Sequence, residues 1–363
     1  MLSVGIVGKP NAGKSTLFNA LTNQNVPAED YPFCTIDKNT GVVAVPDEKL
    51  DKLTNLMDSQ KKVPATVTFV DIAGLVEGAS KGEGLGNMFL AHIREVDLIL
   101  YLVGMHKDDQ SPVDDLEVVE TELILKDIDS VENKLVKLQK EVRHLKPDDK
   151  FHEIHKTLQK LKAYLENGNP AIAFMQKLSK KHCIQYIRDL FLLTSKKSIV
   201  VINVPEDCQT EKIKSNREAI AKFREKQGYI NTQILTINSK VEFELSALDN
   251  KEKKEFIDKL DIEYVGLENI IHCCYKLLGY ITFYTGNEKI CNAWQISKGS
   301  TAKEAAGVIH TDLKKNFIRA DIIKYKDFIQ LGSWKGCKLK GAIMNVGKNY
   351  VMTNNDLMIV YHS

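Results

Sequence analysis

Short apolar runs separated by helical patterns open the chain. Residues 2–7 read as a buried strand, 14–23 as a helix, and 41–45, 67–70 and 97–103 as further strands. That alternation predicts a mostly parallel sheet wrapped by helices. The period then changes. From Ile128, apolar residues fall at Val131, Leu135, Leu138, Val142 and Leu145, in steps of three and four. After the breaker Lys146-Pro147-Asp148-Asp149 the rhythm resumes at Phe151, Ile154, Leu158, Leu161 and Leu165. Two such stripes joined by a short polar turn predict an antiparallel helical hairpin with a coiled-coil seam. With only one narrow face to bury, the hairpin is expected to project from the main body. Sheet-like sequence returns at 198–203 and 233–237, so the hairpin reads as an insertion into the first domain. From about Ile281, short strands at 293–296, 317–323 and 358–361 surround one short helix near 302–310, a small α+β module. The expected boundaries are 1–126 and 188–278 for the split α/β domain, 127–187 for the insertion and 279–363 for the C-terminal module.

The first strand runs into Gly8-Lys9-Pro10-Asn11-Ala12-Gly13-Lys14-Ser15-Thr16, a full GxxxxGKS that opens a helix. Its glycines let successive N–H groups point at phosphate oxygens, and the helix adds its N-terminal partial charge. Lys14 is expected to reach the β/γ-phosphates and Ser15 to ligate Mg²⁺. Thr35 stands where a switch loop supplies a second metal ligand. Asp71-Ile72-Ala73-Gly74 follows the next strand as a DxxG motif, with Asp71 holding a metal-bound water and the Gly74 amide sensing the γ-phosphate. The following residue is Leu75, where many GTPases carry a glutamine that orients water. Leucine cannot form that hydrogen bond, so cleavage is expected to be slow or to recruit another element. Asn11 is the candidate, as a residue that helps to hold a K⁺ ion. Lys14, Asn11 and Gly74 are thus the expected catalytic set.

Guanine-specific sites carry Asn-Lys-x-Asp after a sheet strand, whereas this chain has Asn203-Val204-Pro205-Glu206. The lysine is gone and the carboxylate sits one methylene further out. Adenine offers neither of the two donors that the aspartate reads, so relaxed or ATP-leaning choice is expected, with GTP still possible. Asn203 could bond the base N7 or the adenine amino group. The second base-facing loop is expected at Asn238-Ser239-Lys240.

Composition adds little. The 363 residues hold 50 basic and 48 acidic side chains, a net charge of +2 that points to no partner. Any nucleic-acid affinity would need local clustering of basic residues. The seven cysteines show no CxxC or zinc-finger spacing, and the bland reading is reduced thiols in a cytosolic protein. The N-terminus enters a strand at once, and no apolar run approaches the roughly 20 residues needed to span a bilayer. A soluble, cytoplasmic protein with no membrane partner and no DNA sequence specificity is expected.

Together, the P-loop, Pro32-Phe33-Cys34-Thr35-Ile36-Asp37, the run DIAGLVEGASKGEGLGN from Asp71 to Asn87, and NxxE resemble the Obg-like ATPase family. This is the subfamily of Obg-related P-loop GTPases called YchF in bacteria and Obg-like ATPase 1 in eukaryotes. The resemblance covers nearly the whole chain. It implies a Ras-like P-loop NTPase domain of α/β class, an inserted antiparallel coiled-coil hairpin and a C-terminal α+β TGS (β-grasp) domain. His310-Thr311-Asp312 and Phe317-Ile318-Arg319-Ala320 are similar to segments of that last module. An ATPase of weak intrinsic activity is implied, Mg²⁺-dependent, K⁺-stimulated, and associated with the ribosome in translation or stress control. By position, nucleotide contacts fall on Asn11, Ala12, Gly13, Lys14, Ser15, Thr16, Asn203, Val204 and Glu206. Metal contacts fall on Ser15 and Thr35, beside the Asp71 read from DxxG. The chain departs from the family at 104–112, where a longer loop with a histidine is usual. His106 stands in a different local context. Asn316 replaces a usual glycine. Two other readings compete: a ribosome- or RNA-docking switch that uses the hairpin, the C-terminal module and the basic run 177–182, and a conventional GTPase. The GxGxG at 82–86 follows DxxG rather than the first strand, which fits a γ-phosphate switch better than a dinucleotide fold.

Overall fold

The computed structural model describes residues 2–23, 39–72, 93–105, 111–142, 146, 149–206, 208–246, 248, 252 and 266–363. The expectations placed on Thr35, Gly74, Leu75, His106 and the glycines at 82–86 therefore lie outside the described residues.

Two six-stranded sheets organise these residues. The first contains β1 (Leu2–Val7), β2 (Thr40–Ala44), β4 (Thr66–Asp71), β5 (Leu98–Gly104), β6 (Lys197–Asn203) and β7 (Gln233–Ile237). Their order is β2-β4-β1-β5-β6-β7, and only β2 runs antiparallel, against β4. The central strands are apolar on both faces, as parallel strands covered by helices must be; all seven residues of β5 are buried. Register then fixes function. Ile6 pairs with Asp71, Gly104 with Asn203, and Asn203 with Ile237, so the loops after β1, β4, β6 and β7 share one edge. Ligands bind at the carboxyl ends of strands in sheets of this kind.

Helix α1 (Lys14–Thr22) follows β1, and α2 (Glu48–Leu56) follows β2, capped by the Asp47 carboxylate. A single 31-residue helix, α3 (Pro112–Val142), then leaves the sheet. Its first turns bury Leu116, Val119 and Leu123 against Tyr101, Val103 and Ile202. Its later turns pack Val131 and Leu138 against Ile154, Leu158, Leu161 and Leu165 of α4 (Lys150–Glu166). The expected hairpin is present, but its first helix starts at Pro112 rather than near Ile128. It crosses residue 127 unbroken, so one helix serves two cores. Asp127, 1% exposed, marks the crossing and accepts hydrogen bonds from the backbone N–H groups of Leu193 and Thr194 and from the Thr194 hydroxyl. The insertion ends with α5 (Ala171–Met175) and α6 (Lys181–Arg188). Next come α7 (Thr210–Lys226), α8 (Ser239–Leu245) and α9 (Leu267–Leu277). Arg224 of α7 is fully buried and donates to Glu120 of α3 at 2.6 Å, while its guanidinium stacks over Tyr229 and Tyr101.

The second sheet holds β8 (Tyr280–Gly286), β9 (Ile290–Ser297), β10 (Phe317–Lys324), β11 (Met344–Val346) and β12 (Asp356–His362). Its order is β11-β10-β12-β8-β9, with a sixth strand from the first domain beyond β9. Strand β3 (Lys61–Val63) adds parallel to β9, with Lys61 opposite Ile290. The Tyr284 hydroxyl donates to Asp47 Oδ2 at 2.8 Å, tying the cap of α2 to the second sheet. One apolar core runs from Leu2 and Leu17 through Tyr284 to Phe328 and Leu357. Where one short helix was expected, four occur among the described residues: α10 (Ala302–Ile309), α11 (Thr311–Lys315), α12 (Tyr325–Leu331) and α13 (Trp334–Leu339). Three of them have seven residues or fewer, too short for a 3.6-residue period to register.

Candidate nucleotide site

The loop after β1 is shaped by close approach and by backbone handedness. A Cβ at Gly8 would lie 2.3 Å from the Leu102 carbonyl, so only glycine lets the chain leave β1 beside β5. Asn11 (φ 66°) and Gly13 (φ 94°) both take left-handed conformations. For asparagine that is strained, and strain of this kind concentrates where a ligand repays it. Left-handed residues interleaved with right-handed ones turn successive N–H groups into an anion-binding concavity.

Lys14, 8% exposed, folds back over the loop, and its Nζ donates to the carbonyls of Gly8 (3.0 Å) and Lys9 (2.8 Å). Burial pulls the ammonium pKa down, and the nearby Asp71 carboxylate opposes the shift. Asp71 mirrors it: burial raises its pKa, while Lys14 and a hydrogen bond with Ser15 lower it. Asp71 Oδ1 is buried with no hydrogen-bond partner among the described residues. A carboxylate oxygen so placed beside a serine hydroxyl suits a hard divalent cation such as Mg²⁺. Ser15 and Asp71 are thus brought together.

The far end of the loop meets the base-facing segments. Asn203 Nδ2 donates to the Ala12 carbonyl at 2.9 Å, and its Oδ1 accepts from the Ser239 N–H at 2.9 Å. Asn203 Oδ1 keeps a second lone pair, so the contact to adenine's amino group expected of it stays compatible with this bracing. One Nδ2 hydrogen remains, and it can serve N7, an acceptor common to adenine and guanine. Asn203 thus braces three loops while one Nδ2 hydrogen and one Oδ1 lone pair stay open to a base.

Beside it lies a cavity of about 520 Å³ lined by Asn11, Thr16, Met105, Val204, Glu206, Asn238 and Lys240, among others. Val204 is buried, and its N–H donates to the Ile237 carbonyl at 2.8 Å, which fixes the backbone on which Glu206 rides. The Glu206 carboxylate pairs with Lys240 Nζ at 3.0 Å, across the gap between the two loops. That pairing raises the lysine pKa. Asn238 Oδ1 caps α8, while Asn238 Nδ2 and the Ser239 hydroxyl are buried without partners among the described residues.

Two participants were missed by sequence reasoning. Lys9 Nζ meets Asp115 in the first turn of α3 at 3.0 Å, pinning the phosphate loop to the insertion helix. Lys240 was placed in a base-facing loop, but nothing local showed that it would meet Glu206. Neither pairing leaves a local signal, since each joins residues distant in sequence.

Residues 3–177 match the family model described as 50S ribosome-binding GTPase, and residues 280–362 match the C-terminal model of YchF GTPases, described as a protein of unknown function. The Ribosome-binding ATPase YchF of Bacillus subtilis is 41% identical over 98% of this chain and 98% of its own length. The same-named protein of Escherichia coli O157:H7 is 40% identical over 98% of this chain and 97% of its own. The solved structure of the Schizosaccharomyces pombe YchF GTPase superposes with a TM-score of 0.85 at 33% identity, covering 99% of this chain and 97% of that one. With relatives 40–41% identical over 98% of its length and family models matching at residues 3–177 and 280–362, this chain belongs to the YchF family.

Proposed function

We propose that this chain is a Mg²⁺-dependent nucleoside triphosphatase that cleaves ATP to ADP and phosphate at a low intrinsic rate, accepts GTP, and works on the ribosome in the cytoplasm. The observation that carries the base choice is the Glu206–Lys240 pair. Among the described residues that line the cavity, the one carboxylate, Glu206, is paired with an ammonium group. Asn203, braced on both sides, keeps one Nδ2 hydrogen for N7 and one Oδ1 lone pair for adenine's amino group.

In this reading the N–H groups of Asn11 to Thr16 cradle the phosphates, and Lys14 exchanges its two carbonyl contacts for β/γ-phosphate oxygens. Ser15, Thr35 and Asp71 hold Mg²⁺, directly or through water. The ion neutralises charge on the β/γ-oxygens when bound. Gly74 reports the γ-phosphate. Val204 and Glu206 border the base. Asn11 helps to hold K⁺, standing in for an arginine finger. Water attacks the γ-phosphorus and the bond to the ADP oxygen breaks.

The ribosome enters because the curated relatives are named for binding it. Among the described residues no helix is long and apolar enough to cross a membrane. Leu75, which cannot orient water, favours a second reading in which nucleotide is a conformational ligand and turnover is negligible. Multiple-turnover ATPase assays with and without ribosomes, in K⁺ and in Na⁺, test the proposal. Turnover that rises with ribosomes and with K⁺ supports it. No turnover under any condition, with ribosome binding intact in Lys14→Ala, overturns the enzymatic part in favour of the switch.

A further inference from the structure

On the helical insertion, away from the loops of the first sheet, Glu153, His182 and Cys183 bring a carboxylate oxygen, an imidazole nitrogen and a sulfur within 4.8 Å of one another. No other grouping of three such donors occurs among the described residues. Glu153 lies in the first turn of α4, and His182 and Cys183 in the first turn of α6. His182 Nε2 is 2.8 Å from Glu153 Oε2. The Thr157 hydroxyl, one turn along α4, donates to Cys183 Sγ at 3.5 Å and marks the sulfur as facing α4. The side chains of His182 and Glu153 are 40% and 35% exposed, whereas Cys183 is 2% exposed. The sulfur is therefore at the base of the group and the other two donors stand at its rim, open to solvent on one side.

We propose that Glu153, His182 and Cys183 form a binding site for Zn²⁺. Mixed sulfur, nitrogen and oxygen donors are a zinc set, and the thiolate discriminates against Mg²⁺ and Ca²⁺. Three protein ligands leave the fourth tetrahedral position to water. Without metal, Lys180 Nζ pairs with the Glu153 carboxylate and supplies positive charge there. A dication exchanges for that ammonium, which is on an exposed, flexible side chain, and the Cys183 thiol releases its proton to solvent as the metal–sulfur bond forms. The bound ion fastens α6 to α4 and stiffens the insertion at its open side.

Co²⁺ titration of the full-length, nucleotide-free chain tests this, because cobalt replaces zinc and a thiolate ligand gives a charge-transfer band that oxygen ligands do not. The Ser15–Asp71 centre therefore contributes no such band, and the outcome is independent of the nucleotide reading. The expected result is a band that saturates near one equivalent, is displaced by Zn²⁺, and vanishes in Cys183→Ser. Glu153→Gln, which keeps the size of the side chain, weakens binding at least about 10-fold. No thiolate band with the native chain, or a band of equal strength in Cys183→Ser, overturns the site. A band untouched by both Glu153→Gln and His182→Gln overturns it as well.

Discussion

Lys240 Nζ lies 3.0 Å from Glu206 Oε1, so an ion pair joins the loops after β6 and β7 beside the cavity that both residues line. Both partners are more than half exposed, which makes the pair weak and readily shifted. Lys240→Ala leaves the Glu206 carboxylate free to accept from guanine's ring N–H and amine. The GTP-to-ATP affinity ratio is expected to rise, by at most about 5-fold for a surface pair. Paired equilibrium titrations of the variant measure it. An unchanged ratio means that the pair does not govern base choice.

Asn203 makes a different prediction because its side chain braces the loops around the cavity. Asn203→Ala strands the Ala12 carbonyl and the Ser239 N–H. About 1–3 kcal/mol of stability is expected to be lost for such partly buried groups. ATP and GTP affinities should fall together, by similar factors. Denaturant midpoints and the same paired titrations test this; a selective loss of one nucleotide contradicts it.

Lys14 folds over the phosphate loop with its ammonium bonded to two loop carbonyls. Lys14→Ala removes one charge-assisted contact to phosphate and is expected to weaken ATP about 10- to 100-fold. Fold stability should change little, since the desolvation cost of the ammonium disappears with its hydrogen bonds. A fluorescent-nucleotide titration beside a melting curve separates the two effects.

Asp127 carries a pH dependence. Burial pushes its carboxyl up to about 6, against three hydrogen bonds that favour the ionised form. A folded pKa above the unfolded one means that the native state keeps the proton longer. The stability this provides is fully present below the unfolded value near 3.8 and is lost as pH rises through about 6. In order of magnitude the loss is about 3 kcal/mol over that interval. Urea unfolding between pH 4 and 8 should show the decline in the native chain and lack this component in Asp127→Asn. Identical pH profiles for the two proteins contradict it.

The phosphate loop was legible because its chemistry is contiguous. Gly8, Gly13, Lys14 and Ser15 follow one strand and open one helix, and short-range sterics dictate what such a run does. NxxE was legible for the same reason. What escaped was built between distant segments: Lys9 with Asp115, Glu206 with Lys240, and Tyr284 with Asp47. Strand β3 escaped because Lys61-Lys62-Val63 is too short and polar to show alternation, and only its pairing with Ile290, Cys291 and Asn292 of β9 makes it a strand. The early start of α3 could have been read from Leu116, Val119 and Leu123, which already keep helical spacing. They face a different core from Val131 and Leu138, so the stripe changes partner and looks like two elements.

The central claim is that this site does not read guanine. Its most direct test is a paired titration of the native chain with ATP and GTP, in K⁺ buffer with Mg²⁺. Affinities within about 10-fold of each other, or tilted toward ATP, are the result expected where the Glu206 carboxylate is held by Lys240. A GTP affinity higher by about 10⁴-fold, the scale of a site that hydrogen-bonds its base selectively, would contradict it.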